Sequence, residues 1–138
     1  MIRLIVGSKG SGKTKALIEQ VNQAALTAKG NVVCIEKNMK LTYNINHTIR
    51  LIDMDNYRIQ GFDAFYGFFA GLLAGNYDIT DIFVDGILKA GGPEKDLEAF
   101  GRLLEKIDLL VQESDINVVI TVSANPESLP ESVAKYPH

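Results

Sequence analysis

The sequence predicts an α/β fold, a three-layer α/β/α sandwich with a mainly parallel sheet. Two observations lead to this fold class. Apolar runs alternate along the chain with segments of helical periodicity, the order that parallel strands and crossover helices require. Most of these runs are rich in Val and Ile and lack a polar face, as in strands that are buried on both sides. The 138 residues contain no linker or internal repeat, so we expect a single domain over residues 1–138.

The first helix lies between the first two predicted strands. Residues 2–6 are an apolar run that predicts a buried strand. From Lys13 onward the apolar residues recur on one helical face, and Gly30 is placed where a helix ends. Residues 32–36 predict the second strand. The single cysteine, Cys34, lies inside it and is typical of a small buried hydrophobic residue rather than a reactive thiol.

Residues 41–53 are the most difficult part of the chain to assign. Ile49 and Leu51 alternate with polar neighbours, which predicts a strand with one solvated face over residues 47–53. This segment follows the second strand too closely for a full crossover helix. We therefore expect a hairpin or an edge strand that runs antiparallel to its neighbour.

The second half of the chain predicts two more helices and two more strands. Aromatic residues recur at helical spacing over residues 61–75, and residues 81–86 form a buried strand that ends in an acid. Residues 91–114 carry the clearest amphipathic pattern in the chain. Residues 117–125 are the last strand. The polar, proline-containing tail has room for one helical turn.

Composition narrows the function classes. The formal net charge is −3 and no basic block is present, so charge gives nucleic-acid binding no support, although it does not exclude it. The apolar stretch over residues 64–75 is shorter than the roughly 20 residues of a membrane span, and the first apolar run is too short for a signal peptide. A lone thiol fits a reducing compartment. We expect a cytoplasmic protein that does not enter a membrane.

Residues 7–14, GSKGSGKT, join the first predicted strand to the first predicted helix and satisfy G-x-x-x-x-G-K-[ST] in full. The glycines allow successive backbone N–H groups to point at phosphate oxygens, and the helix N-terminus adds a partial positive charge. Lys13 can reach the β- and γ-phosphates, and the Thr14 hydroxyl can ligate Mg²⁺. The alternative is a glycine turn with a solvated lysine. The predicted phosphate-binding residues are Gly7, Ser8, Lys9, Gly10, Ser11, Gly12, Lys13 and Thr14.

A magnesium ion held by Thr14 and phosphates also needs a carboxylate nearby, usually through water. Asp85, at the end of the apolar run IFVD, is placed to supply it. The alternatives are that Asp85 only ends its strand, or that Asp53, which ends the run TIRLID, supplies the carboxylate.

The GSKGSGKT motif and, less specifically, the IFVD run resemble the Walker A and Walker B motifs of the P-loop NTPase superfamily. The resemblance covers the organisation of most of the chain and implies a minimal version of that fold, without the fifth parallel strand of larger members. In the additional-strand, RecA-like branch, another strand separates the loop strand from the Walker B strand, and residues 117–125 are apolar enough to be that strand. Ser123 and Asn125 would then lie near a γ-phosphate. The alternative is that they only start the loop before Pro126.

Many hydrolytic members of that branch place a glutamate directly after the Walker B aspartate, where it polarises the attacking water. Gly86 occupies this position here. We therefore expect binding of ATP or GTP with slow or partner-stimulated hydrolysis, with Glu36 or Asp53 as the remaining candidates for a base. ATP is favoured over GTP because no guanine-reading Asn-Lys-x-Asp sequence occurs. A small-molecule phosphotransferase and a non-catalytic nucleotide-binding module are the alternative functions.

The aromatic helix over residues 61–75 also predicts a partner surface. Its glycines recur every fourth residue, which allows close helix approach, and it carries more aromatic side chains than one stripe can bury. We expect a homo-oligomer through this helix, with tight packing on the chain's own sheet as the alternative. The arginines considered for neutralising phosphate charge, within or between subunits, are Arg50, Arg58 and Arg102.

Overall fold

The computed structural model of the protein describes residues 1–37, 44–92 and 95–138. Within these ranges one sheet is formed by β1 (Ile2–Gly7), β2 (Asn31–Glu36), β3 (Arg50–Asp53), β4 (Ile79–Val84) and β5 (Asn117–Ser123). The helices are α1 (Lys13–Thr27), α2 (Phe62–Ala74), α3 (Ile87–Ala90), α4 (Leu97–Val111) and α5 (Glu131–Ala134). Short 3₁₀ helices occupy Met54–Tyr57 and Pro126–Ser128.

The sheet order is β1-β5-β4-β2-β3, and every neighbouring pair is parallel. β5 lies between β1 and β4, which is the central position predicted for residues 117–125. Helix α1 packs on one face of the sheet, and α2 and α4 pack on the other. The predicted α/β class and three-layer arrangement are therefore confirmed.

The predicted antiparallel direction of the third strand is wrong. β3 is an edge strand, as one of the two alternatives proposed, but it is parallel to β2, with Glu36 opposite Asp53 in the register. The sheet therefore contains five parallel strands, so the expectation of a minimal fold without a fifth parallel strand is also wrong. The prediction assumed that a parallel crossover needs a full helix, whereas residues 37–49 supply the dozen or so residues that a crossover requires. Residues 44–49 form turns, and residues 41–43 lie outside the described ranges.

The helix with the clearest amphipathic pattern forms as predicted, although it is shorter than its pattern. The Asp96 side chain accepts a hydrogen bond from the Ala99 N–H and thereby caps the first turn of α4. Phe100, Leu104 and Ile107 face inward and are fully buried. The four-residue helix α3, directly after Gly86, is not evident from the sequence pattern because it is too short to show a period.

Two apolar cores of unequal size lie on the two faces of the sheet. The α4 face packs α2, α3, α4 and α5 against alternate strand residues, and the α1 face packs α1 alone against the others. Side chains of a strand alternate between the two faces, so each central strand contributes to both cores. Within the described ranges, none of the helices has the length and apolar character needed to cross a membrane.

Candidate functional site

Polar side chains gather where the α1 face of the sheet meets its carboxyl edge. Phe83 and Cys34 pair across β4 and β2 and belong to the α1-face core. The residues two positions further along these strands, Asp85 and Glu36, therefore point to the same face. The Asp85 N–H donates to the Ile35 carbonyl at 2.8 Å, which continues the register of β4 and β2 to the ends of both strands. Ligands of parallel α/β sheets bind at this edge.

The phosphate loop has the backbone conformation that its glycines permit. Gly10 and Gly12 have φ angles of 82° and 88°, in the left-handed region that favours glycine. A Cβ on Gly7 would collide with the Ser11 side chain, because the loop folds back over the end of β1. Gly12 is the N-cap of α1 and has no side chain to satisfy the first N–H groups of the helix. An anion is the natural partner for these donors.

Lys13 is held inside the loop. Its side chain Nζ donates to the Ser8 carbonyl at 2.9 Å, and the residue is only 9% exposed. Burial lowers the pKa of Lys13, the nearby Asp85 carboxylate opposes this effect, and the Lys95 ammonium adds to it. Asp85 and Lys95 are therefore close enough to influence the charge of Lys13.

Asp85 is oriented by a hydrogen bond from the neighbouring strand. Its Oδ1 accepts from the Thr121 hydroxyl at 2.5 Å, and Thr121 is buried on β5. Asp85 and Thr14 line one cavity of about 360 Å³. A hydroxyl and a carboxylate are oxygen donors that suit Mg²⁺, which usually takes its remaining ligands from phosphates and water. Within the described ranges no group of three or more His, Cys, Asp and Glu could hold a metal ion alone, so this site would need those additional ligands.

The structure brings six of the thirteen predicted site residues to this cavity. The predicted residues that line it are Lys9, Gly10, Lys13, Thr14, Asp85 and Ser123. The remaining loop residues, Gly7, Ser8, Ser11 and Gly12, shape the loop around it. Of the two candidate metal acids, only Asp85 is among the described lining residues.

The two candidate bases occupy different positions along the row of strand ends. Glu36 lies next to Asp85 and is 1% exposed. Burial, then the Glu36 and Asp85 carboxylates, raise the pKa of the Cys34 thiol, so both acids are near that buried side chain. Asp53 is one strand further away, and its Oδ1 accepts from the Asp55 N–H, capping a 3₁₀ helix. Glu36 is therefore the nearer of the two to the loop.

Asn125 has a local structural role. Its Oδ1 accepts from the Glu127 N–H at 3.0 Å and caps the 3₁₀ helix at Pro126–Ser128. It is not among the described residues that line the cavity, whereas Ser123 is. The two polar residues at the end of β5 thus differ. Ser123 lines the cavity, whereas Asn125 begins the next turn, which is the role given to it in the alternative interpretation.

No arginine is among the described residues that line the loop cavity. The Arg50 guanidinium lies 3.4 Å from the Tyr57 hydroxyl, in a larger groove of about 720 Å³ between β3 and α2. Arg58 follows the 3₁₀ helix after β3, and Arg102 lies in a surface pocket between α2 and α4. Within one subunit these arginines are placed away from the loop.

The cations that line the cavity are lysines and not the arginines considered above. The sequence patterns do not identify these lysines. Besides Lys9 and Lys13, the cavity is lined by Lys37, Lys89 and Lys95. Lys37 forms an ion pair with Asp55 at 2.5 Å. Each of the three follows the carboxyl end of β2 or β4 along the chain, which is the only indication that the sequence contained.

The backbone conformation at position 86 favours glycine. Its φ angle is 83°, and it is the N-cap of α3. A Cβ at this position would come within 3.2 Å of the Lys37 Cβ. A glutamate directly after Asp85 would therefore need both an unfavourable backbone conformation and a shift of its neighbour.

Neither a scan against protein-family models nor a search of curated proteins found a match for this chain.

Proposed function

We propose that this protein binds a nucleoside triphosphate with Mg²⁺, as a small P-loop NTPase that takes ATP in preference to GTP. One observation supports this most strongly. Lys13 and Thr14 from the loop and Asp85 from β4 converge on a single cavity at the carboxyl edge of the sheet. These residues come from distant parts of the sequence, and a glycine turn without a ligand would not require their convergence.

Each residue has a defined role in this proposal. The loop N–H groups and the first turn of α1 bind phosphate oxygens, and Lys13 exchanges the Ser8 carbonyl for a phosphate oxygen. Thr14 and Asp85 would hold Mg²⁺, which neutralises charge that develops on the phosphates. Thr121 holds the Asp85 carboxylate in position through its hydroxyl.

Slow turnover follows from position 86. Hydrolysis needs a water in line with the γ-phosphate and a group that orients it, and a positioned base typically contributes about 10²–10⁴-fold. Gly86 has no side chain for this task. Glu36 is the nearest alternative, but it is almost completely buried, so we expect it to act only after a change in its surroundings. Binding of a partner is one such change.

Self-association through α2 is a further part of the proposal. Gly67 and Gly71 are exposed, and a Cβ on either would meet no described atom within 4 Å. The glycines therefore face away from the chain's own sheet and support a partner surface. The aromatic residues of α2, in contrast, pack on the core, as the alternative of tight internal packing expects. A neighbouring subunit would also be the source of any arginine at the phosphates.

The proposal is tested by calorimetric binding of Mg-ATP and Mg-GTP together with steady-state phosphate release. We expect binding, with release well below the enzyme median of roughly 10 per second. Fast release by the isolated chain would contradict the role given to Gly86. Release that depends on an added small acceptor would favour the phosphotransferase alternative. Binding without any release, even with partners, would favour the non-catalytic module, and the absence of binding would overturn the proposal.

A further inference from the structure

Lys95 places a second ammonium group at the mouth of the phosphate loop. It precedes α4, and its Nζ donates to the Ser123 carbonyl at 2.8 Å. Ser123 pairs with Gly7 in the register of β5 and β1, and the next residue, Ala124, donates its N–H to the Gly7 carbonyl at 3.1 Å. The carbonyl that holds Lys95 is therefore beside the first residue of the loop.

Lys13 and Lys95 are held in similar ways. Each ammonium donates to a neutral backbone carbonyl, Ser8 for one and Ser123 for the other, so these two bonds neutralise neither charge. Both side chains line the same cavity. Asp85 is the only acid among the described residues lining that cavity. Like charges that share one cavity repel each other, and an anion between them would relieve the repulsion.

The other lysines of the cavity are placed differently. Lys37 is paired with the Asp55 carboxylate, which satisfies its charge. Lys9 belongs to the phosphate loop itself, and Lys89 lies in the short helix α3. Among the described lining residues, Lys95 combines a position outside the loop with a hydrogen bond to a neutral carbonyl beside the first loop residue.

We propose that Lys95 binds the terminal phosphate of a nucleoside triphosphate and so makes the site distinguish triphosphate from diphosphate. An ammonium group has three donors, so Lys95 can keep its bond to Ser123 while it donates to a phosphate oxygen. Lys13 approaches the phosphates from within the loop and Lys95 from the end of β5. The bound γ-phosphate would thereby contact a cation that the chain supplies in cis. This inference depends on the proposed nucleotide site.

The test compares affinities for Mg-ATP and Mg-ADP in the full chain and in Lys95→Gln. A charge-assisted hydrogen bond is among the stronger polar contacts, so we expect Lys95→Gln to lose about tenfold in Mg-ATP affinity and less than about twofold in Mg-ADP affinity. Lys95→Arg should retain most of the preference for triphosphate. Lys135→Gln is the matched control, since it removes one exposed ammonium that pairs with Glu105, outside the cavity.

The outcomes separate this inference from the proposed function. A wild-type chain that binds neither nucleotide overturns both. A wild-type chain that binds both nucleotides through Lys13, with a Lys95→Gln variant that loses equally for ATP and ADP or loses nothing, overturns only the role of Lys95. Equal losses would mean that Lys95 merely holds the end of β5 in place.

Discussion

The two faces of the sheet use the same strands for different purposes. On the α4 face, alternate strand residues pack under four helices and form the larger core. On the α1 face, the residues between them pack under α1 alone, and at the carboxyl edge this smaller core ends in Asp85, Glu36 and Thr121. The comparison shows that the period of two along a strand gives the two faces different tasks. The α4 face carries the larger core, whereas the α1 face carries a smaller core and, at its carboxyl edge, the residues of the site.

The largest expected effect comes from truncating one buried leucine on each face. Leu104 on α4 and Leu17 on α1 are both fully buried. We expect Leu104→Ala and Leu17→Ala each to lower the free energy of unfolding by about 2–5 kcal/mol, measured by denaturant titration. Only Leu17→Ala should also weaken Mg-ATP binding, because α1 carries the phosphate loop at its N-terminus. Equal effects of both variants on binding would show that the faces are not separable in this way.

A smaller loss of stability is expected from substitution of Gly86, a residue of the site whose backbone conformation favours glycine. Gly86→Glu should lower the free energy of unfolding by about 1–2 kcal/mol, because a side chain is unfavourable at its left-handed φ angle. Gly86→Asn is the matched control. It carries the same Cβ, but asparagine tolerates this conformation better, so its loss should be smaller. If Gly86→Glu were as stable as the wild type, the backbone would not explain the glycine.

A change at the acids should alter metal dependence with little effect on stability. Asp85→Asn keeps an oxygen that can accept from Thr121, and Asp53→Asn keeps one that can accept from the Asp55 N–H. We expect Asp85→Asn to raise the Mg²⁺ concentration needed for ATP binding by about tenfold or more, and Asp53→Asn to leave it nearly unchanged. A magnesium titration at fixed ATP measures both. The reverse ranking would assign the metal acid to β3.

The smallest expected change in folding is at the exposed surface of α2. Gly71→Glu should shift any oligomer toward monomer in light scattering, because it places a charge on the proposed contact surface. The free energy of unfolding of the monomer should change by less than about 1 kcal/mol, since glycine is a poor helix residue. Gly71→Ala, which keeps a small side chain, is the control. A wild-type chain that is monomeric at every accessible concentration would remove this surface from the proposal.

Strong periodicity made most of the fold predictable from the sequence. The three longest helices and all five strands lie where their patterns indicate, because each has its own period within one segment. The direction of β3 did not follow from its pattern, because alternation identifies a strand but not its neighbour's direction. The decisive factor was the length of the connection over residues 37–49.

The loop part of the site was also predictable, whereas its partners were less so. Residues 7–14 are contiguous, so the conformation of the loop can be predicted from the motif alone. The bond between Thr121 and Asp85 joins residues far apart in sequence, and only the strand order and register bring them together. Lys95 depends on the same pairing, through the end of β5. For that reason, the local sequence does not distinguish Lys95 from the arginines as a candidate for neutralising phosphate charge.

The central claim is that the loop at the start of α1 binds the phosphates of a nucleotide, and a calorimetric titration of Mg-ATP into the wild type and Lys13→Ala tests it most directly. Both chains should be equally folded by circular dichroism, because the Lys13 side chain donates to a carbonyl within the loop itself. We expect measurable binding by the wild type and a loss of at least about tenfold, up to complete loss, in Lys13→Ala. Unchanged affinity in a folded Lys13→Ala variant would contradict it.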